Sequence, residues 1–229
     1  TFGAVVAYLL KLPDFYYGIF AFISAAVLSV VIFKLSKKNK SIATLLIIGI
    51  AFSSFLGAFT SFATYLIGED SFKIVAWMMG YVGSANWDKI AYIILPLALS
   101  MAYFYIKRFE LNVILSGDEE AQSLGVDVEK IKKRLLIVSS LAVAFSVAFT
   151  GMIGFVGLII PHTLRMLLRT SSNVVLIPIS TFAGGFFLLA CDTIGKSILS
   201  PTEVPIGVVT AFFGAPFFLF LAIRSSRSI

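Results

Sequence analysis

Long apolar stretches without any charged residue dominate this chain of 229 residues. Six of them contain no Asp, Glu, Lys or Arg, and they cover 15–33, 41–68, 90–106, 135–164, 170–191 and 204–223. A helix needs about 20 apolar residues to cross a hydrocarbon core of roughly 30 Å. Backbone amides in lipid must bond within their own segment, which favours helices over strands. The pattern therefore predicts an all-α, polytopic membrane helical bundle.

The stretch 135–164 is too long for one span and too short for two ordinary ones. Glycines at 151 and 154 interrupt it, and glycine permits a tight reversal and a close approach of backbones. The pattern predicts a full helix over about 131–149 and a shorter one over about 155–168. Gly154 and Gly157 are expected to give the short helix a small-residue packing face. Broken helices at membrane depth require surrounding protein or a water-filled cavity, so this pair is expected inside a bundle.

The remaining segments complete a path of about eight spans. Residues 1–10 are too few for a complete span, and they are interpreted as the end of a helix that begins before residue 1. The segment 68–89 is expected to be an external connection, and 107–134 is the longest polar segment. Pro96 predicts a kink in the helix between these two connections.

The distribution of charge gives the predicted path its direction. The chain is 59% hydrophobic and 13% charged, with a net charge of +6 and a mean hydropathy of +1.00. Short loops rich in Lys and Arg remain on the cytoplasmic side of a membrane. Fourteen of the 18 basic residues form five clusters next to the apolar stretches: Lys34, Lys37, Lys38, Lys40; Lys107, Arg108; Lys130, Lys132, Lys133, Arg134; Arg165, Arg169; Arg224, Arg227. This predicts a multi-pass protein with those clusters inside and Lys11, Lys73, Lys89 and Lys196 outside, and it argues against nucleic acid as a partner.

The polar insert over 116–130, which leads into the next span, has the pattern of a compact helical element. Asp118, Glu119 and Glu120 favour a helix N-terminus, and Gly125 is a natural stop. A second helix is expected to start near Asp127, and the first is expected to present Ala121 and Leu124. Such an element predicts a docking site for a soluble partner on the cytoplasmic face, and a solvated loop is the alternative.

Candidate catalytic or metal-binding chemistry is sparse. His162 is the only histidine and has no second ligand nearby in sequence, so a structural role is favoured over metal binding. Asp192 and Lys196 are four residues apart, as in a helical ion pair. The single Cys191 excludes an intramolecular disulfide. We therefore expect neither catalysis nor a bound cofactor or metal in this chain.

Four ordered motifs resemble those of the FecCD/BtuC-type permeases, the membrane subunits of type II ABC importers for iron-siderophores, haem and vitamin B12. The resemblance runs from about residue 1 to 226. Its residues are Trp77, Gly80, Gly83 and Trp87; Gly117–Val126; Gly154, Gly157, Pro161, His162 and Arg165; and Asp192, Glu203, Pro205, Gly207, Thr210, Gly214, Ala215, Pro216 and Phe218.

The resemblance implies ten spans per subunit, of which this sequence supplies about eight, in a single permease domain over 1–229 without the first two helices. It also implies a second permease subunit (a homodimer or a close paralogue), an external binding protein and two cytoplasmic ATPase subunits that hold ATP and Mg²⁺, in a prokaryotic cell membrane. Residue by residue, it assigns ATPase coupling to Asp118, Glu119, Glu120, Ala121, Leu124, Gly125 and Val126. It assigns docking of the binding protein to Lys196 and Glu203, and packing beside the path to Gly154, Gly157, Pro161, His162, Arg165, Pro205, Gly207, Thr210, Gly214 and Pro216.

Two other functions are compatible with a membrane composition. An ion-gradient-driven transporter or channel is the main alternative, although such a carrier is expected to bury ionisable groups near the midplane. An intramembrane enzyme lacks a convergent nucleophile, base or metal set in this sequence. The cargo is left open among iron chelates, haem and cobalamin-like molecules, and the absence of a histidine pair favours a siderophore-like chelate.

Overall fold

A computed structural model describes residues 2–13, 15–38, 42–83 and 85–226. These residues form eleven α-helices and one 3-10 turn, with no strand among them, which confirms the predicted all-α class. The helices are α1 (Phe2–Leu9), α2 (Phe15–Lys38), α3 (Ile42–Ile67), α4 (Phe72–Met78), α5 (Trp87–Ile106), α6 (Arg108–Ile114), α7 (Asp118–Ser123), α8 (Val128–Thr150), α9 (Val156–Leu168), α10 (Asn173–Ile198) and α11 (Ile206–Ser226).

The eight predicted segments correspond to α1, α2, α3, α5, α8, α9, α10 and α11. Four helices in the described ranges are long and apolar enough to cross a membrane: Ile47–Ile67, Trp87–Ile106, Val128–Thr150 and Asn173–Ile198. Three shorter apolar helices cover Tyr16–Leu28, Val156–Leu168 and Ile206–Leu221. This composition is that of a multi-pass membrane protein.

Two short helices were not predicted from the sequence. The segment 68–89, expected only as a connection, contains a 3-10 turn (Gly68–Ser71) and α4. The polar segment after α5 contains α6 as well as α7. Both α4 and α6 are seven residues long. They are shorter than the repeating apolar pattern by which a helix is recognised in a sequence.

The broken helix is present where the glycines predict it. Helix α8 ends at Thr150 and α9 begins at Val156. The reversal uses positive φ angles at Gly151 (+69°) and, unexpectedly, at Phe155 (+67°). A residue with a side chain rarely adopts this left-handed conformation. Gly154, which the sequence suggested for the turn, does not have a positive φ.

The chain divides into two compact units. The first comprises Thr1–Met78 and Ser146–Gly151. Val5, Ala63 and Ile74 are buried at its centre, where Tyr8, Phe59, Ile67 and Met78 pack against them. A Cβ on Gly3 would overlap the carbonyl of Phe20, so α1 and α2 approach closely because residue 3 has no side chain.

The second unit comprises Met79–Phe145 and Met152–Ile229 and contains every residue assigned above to coupling, docking or packing. Its buried core is Cys191, Ile206 and Val209, covered by apolar side chains that include Val82, Ile153 and Val204. Helix α8 contributes its beginning to this unit and its last residues to the first. A single permease domain over 1–229 stays a prediction.

Candidate functional site

Helix α7 is a short helix closed by glycine at both ends. Gly117 precedes it with φ +129°, and Gly125 follows it with φ +84°. The N–H of Val126 donates to the carbonyl of Ala121 at 3.0 Å, and the N–H of Gly125 donates to the carbonyl of Gln122 at 2.9 Å. These two bonds form a Schellman motif, which satisfies carbonyls at the helix end and needs a left-handed residue after it. The predicted stop at Gly125 is confirmed.

The two apolar residues of this segment face opposite environments. Leu124 is 71% exposed, whereas Ala121 is fully buried. The prediction that both are presented to a partner is therefore wrong for Ala121, which anchors α7 to the chain. Asp118, Glu119 and Glu120 are exposed around the first turn. The outer surface of α7 thus combines three carboxylates with one projecting leucine.

Two polar contacts connect this segment to the membrane helix α8. The Lys132 ammonium contacts both carboxylate oxygens of Asp118, at 2.7 and 2.5 Å. Asp127 caps α8 by accepting from the N–H of Lys130 at 3.1 Å, which is the predicted helix start. Val128 and Ile131 are buried on the first turn of α8. Asp118 and Lys132 are about half exposed, so their ion pair orients α7 rather than adding much stability.

Helix α6 connects the same end of the unit to α10. The Asn112 side chain accepts from the N–H of Asn173 at 2.6 Å and donates to the Ser172 hydroxyl at 3.3 Å. At the start of α6, Lys107 donates to Glu110 at 2.5 Å. This hydrogen bond from Lys107, followed by a backbone hydrogen bond, lowers the pKa of Glu110 below its usual value. Helix α7 therefore lies beside α6, at the end where α5 finishes and α8 and α10 begin.

The predicted packing motif is divided between α9 and α11, and only its α11 part packs closely. A Cβ on Gly207 would overlap the carbonyl oxygens of Met79 and Met152, and one on Gly214 would overlap the ring of Phe155. At Gly154 and Gly157 a Cβ would meet no atom within 4 Å among the described residues. Nothing among the described residues packs closely against these two glycines, so their role as a small-residue packing face stays a prediction.

The other residues of that motif lie in α9 and α11 or just before α11. Thr210 is fully buried, and its hydroxyl donates to the carbonyl of Gly207 at 3.1 Å. The His162 ring meets the ring of Phe217 edge to face at 6.2 Å. Pro161 and Pro216 lie inside α9 and α11, Pro205 lies just before α11, and Arg165 is exposed in the last turn of α9.

A second group of charged residues lies at the opposite end of α10. The Lys196 ammonium is 2.7 Å from Asp192 Oδ2, which confirms the predicted i,i+4 ion pair. Glu203, in the loop before α11, is exposed. Partial desolvation raises the pKa of the exposed Tyr81, and the charge and hydrogen bonding of Glu203 raise it further. Tyr81, Asp192, Lys196 and Glu203 thus form one cluster.

The two ends of the second unit differ sharply in charge. Thr181 of α10 contacts the sulfur of Met101 of α5 at 3.3 Å, and α6 contacts the start of α10, so α5 and α10 are antiparallel. The end with α7 carries eight basic residues: Lys107, Arg108, Lys130, Lys132, Lys133, Arg134, Arg165 in α9 and Arg169 just after it. The other end carries only Lys89 and Lys196 among the basic residues described there. This arrangement fits α7 on the cytoplasmic side. The side chains of Lys34, Lys37, Lys38, Lys40, Lys73, Arg224 and Arg227 lie outside the described set.

No group of three or more metal-binding side chains occurs within the described part of the chain. Three features of the site were not found from the sequence: the Asp118–Lys132 pair, the bridge through Asn112 and the position of Tyr81. Each joins residues separated by a turn or by whole helices. Periodicity within one helix does not report such contacts.

Comparison with known proteins identifies the family to which this chain belongs. Residues 1–224 match the FecCD transport family. The chain is 38% identical over 203 residues to the cobalamin import system permease protein BtuC of Halobacterium salinarum, covering 88% of this chain and 54% of that protein. It is 35% identical over 209 residues to the hemin transport system permease protein HmuU of Yersinia pestis, covering 89% and 61%.

A solved structure has the same fold. It is an inward-facing conformation of a protein provisionally assigned as a metal-chelate type ABC transporter, with a TM-score of 0.83 and 30% identity over 97% of this chain and 72% of that one. The present chain spans 54% to 61% of the length of the two permeases named above. These matches confirm the resemblance found in the motifs, and the chain belongs to the FecCD transport family of membrane permeases.

Proposed function

We propose that this chain is a membrane-spanning subunit of an ATP-driven importer that moves a metal chelate, such as an iron-siderophore, haem or a cobalamin-like molecule, into a prokaryotic cell. Permeases named for cobalamin and hemin transport are among its relatives. The chain would carry no catalysis of its own. ATP and Mg²⁺ would be held by two separate cytoplasmic ATPase subunits.

The observation that supports ATP coupling best is the construction of α7. It exposes Leu124, Glu119 and Glu120 to solvent, its Asp118 pairs with Lys132 of α8, and its Ala121 is buried within the second unit. Helix α8 continues beyond Lys132 as a membrane span. A soluble subunit that binds α7 would therefore move α8 directly, because only a few residues connect α7 to α8.

The charge distribution supports the direction of the proposed assembly. Helix α7 lies at the basic end of the second unit, the end expected to face the cytoplasm and its ATPases. Lys196 and Glu203 lie at the other end, where an external binding protein would dock. A second permease subunit would complete the translocation path.

The coupling proposal is tested by substituting two exposed residues of α7 in the assembled transporter. Glu120→Gln with Leu124→Ala removes a charge and an apolar contact without touching the core of the chain. Truncating a central interface contact costs about 2 kcal/mol or more, so uptake and stimulated ATP hydrolysis should fall by about tenfold or more. Both are measured in proteoliposomes with membrane insertion as the folding control.

Matched variants separate a local effect from a general one. Glu129→Gln removes a charge that is also exposed, in the first turn of α8, and Leu115→Ala removes an exposed leucine just before the segment. Both should retain uptake within about twofold, as exposed substitutions away from contacts change little. Unchanged uptake in the α7 variant, together with prompt arrest when ion gradients are collapsed, would support a gradient-driven transporter instead.

A further inference from the structure

The side chain of Arg108, two residues beyond the end of the span α5, is held in place by its neighbours in the chain. Its guanidinium carbon lies 4.0 Å from the centre of the Tyr105 ring and 4.5 Å from the centre of the Phe109 ring. One terminal nitrogen of the guanidinium donates to the carbonyl of Tyr105 at 2.6 Å. A guanidinium is planar and stacks on aromatic faces. The two rings and the carbonyl therefore fix the position of this cation.

The charge of Arg108 is not compensated by any of the described residues. Lys107 and Glu110 form an ion pair with each other, so their charges cancel. No ion pair in the described part of the chain includes Arg108, and its Nε is buried without a hydrogen-bond partner there. A guanidinium has five N–H donors. Arg108 therefore keeps a positive charge and donors that these residues do not use.

The surroundings of Arg108 have the character of a membrane–water interface. The span α5 ends at Ile106, and Tyr105, Ile106 and Phe109 are all exposed. Aromatic side chains are enriched at the headgroup level of a bilayer, where the lipid phosphates lie. This end of α5 is the α7 end of the second unit, which the basic residues place on the cytoplasmic side. The cytoplasmic leaflet carries anionic lipids.

We propose that Arg108 binds the phosphate of an anionic phospholipid in the cytoplasmic leaflet, and that the exposed surfaces of Tyr105 and Phe109 contact the hydrocarbon next to that phosphate. A guanidinium donates paired hydrogen bonds to phosphate oxygens, and the stacking holds it ready to do so. A carboxylate of another subunit has the same charge. The exposed apolar surface around Arg108, however, matches a molecule that joins a phosphate to hydrocarbon. This lipid site does not depend on the cargo or on ATP.

The test measures binding of phosphatidylglycerol to the complete transporter in detergent by native mass spectrometry, with phosphatidylcholine and inorganic phosphate as comparison probes. The wild type should prefer phosphatidylglycerol to phosphatidylcholine, and inorganic phosphate should not displace the lipid. One cation at an anionic membrane surface changes affinity by about fivefold, so Arg108→Gln should weaken the binding of phosphatidylglycerol by about this factor. The unfolding midpoint in lipid-free detergent is the folding control.

Three further variants separate the stacked guanidinium from charge alone. Arg108→Lys keeps the charge without the planar group, so it should restore only part of the affinity. Phe109→Leu removes one ring at an exposed position and leaves the charge unchanged. It should weaken binding about two- to fivefold, the value of an exposed cation–π contact. Arg169→Gln removes an exposed charge at the same end of the unit and should have a smaller effect than Arg108→Gln.

Several outcomes would overturn the lipid site. Equal binding of phosphatidylglycerol by the wild type and Arg108→Gln would exclude the contact, and equal effects of Arg108→Gln and Arg169→Gln would show a general field of the basic end. Full affinity in both Arg108→Lys and Phe109→Leu would exclude the stacked guanidinium. Displacement by inorganic phosphate would indicate a soluble anion, and loss of a subunit from Arg108→Gln with unchanged lipid binding would indicate a protein contact. Because lipid binding is measured and not uptake, none of these results decides the proposed function.

Discussion

Gly207 shows how one missing side chain sets the packing of the second unit. It lies in the first turn of α11, directly against the carbonyl oxygens of Met79 and Met152. Backbone oxygens cannot move aside as the end of a flexible side chain can. Close packing at this point therefore requires glycine.

Gly207→Ala is expected to destabilise the chain by about 1 to 3 kcal/mol, the range for inserting a methyl group into a filled site. The measurement is the unfolding midpoint of the purified chain in detergent. Gly157→Ala is the matched control, because a Cβ there meets open space within the chain. Equal midpoints for the two variants would contradict the assigned contact.

The sequence identified glycine-rich motifs at the start of α9 and in α11, but it did not show which of these glycines lie in close contact with other residues. Spacing marks Gly154 and Gly157 as a small-residue face just as clearly as it marks Gly207 and Gly214. The difference arises from what lies opposite each residue. That depends on the arrangement of α9 and α11, which no local pattern specifies.

Helix α7 shows what could be predicted at the scale of an element. Its acidic start, its stop at Gly125 and the following helix start at Asp127 are all confirmed. These features depend on capping and on backbone conformation, which act over a few residues. The burial of Ala121 could not be predicted, because it depends on contact with the rest of the unit.

The ends of α7 should loosen when Gly125 is replaced. A Cβ at this position meets no neighbour, so Gly125→Ala acts only through its left-handed φ of +84°. That conformation costs a residue with a side chain roughly 1 to 2 kcal/mol, so α7 amides should exchange hydrogen about five to thirty times faster. Gly185→Ala in α10, also in open space, should leave them unchanged. Unaltered protection of α7 in Gly125→Ala would contradict its role as the helix stop.

At the scale of the whole molecule, the charge pattern predicted that the basic clusters lie on one side of the membrane, and the arrangement of the helices supports this. Basic clusters far apart in sequence, at Lys107, Lys130 and Arg165, lie at one end of the second unit. The eight apolar segments could be located because each is a continuous run. The division into two units and the ion pairs between elements could not, because they depend on tertiary contacts.

The central claim is that α7 meets an ATP-hydrolysing subunit on the cytoplasmic side, and contact is its most direct test. Leu124→Cys places a thiol on the projecting residue, while the only native cysteine, Cys191, is buried. In the assembled transporter, a short thiol cross-linker should join this position to an ATPase subunit, and a membrane-impermeant maleimide should label it only from the cytoplasmic side. Labelling from the external side, or no cross-link in an active complex, would contradict the account.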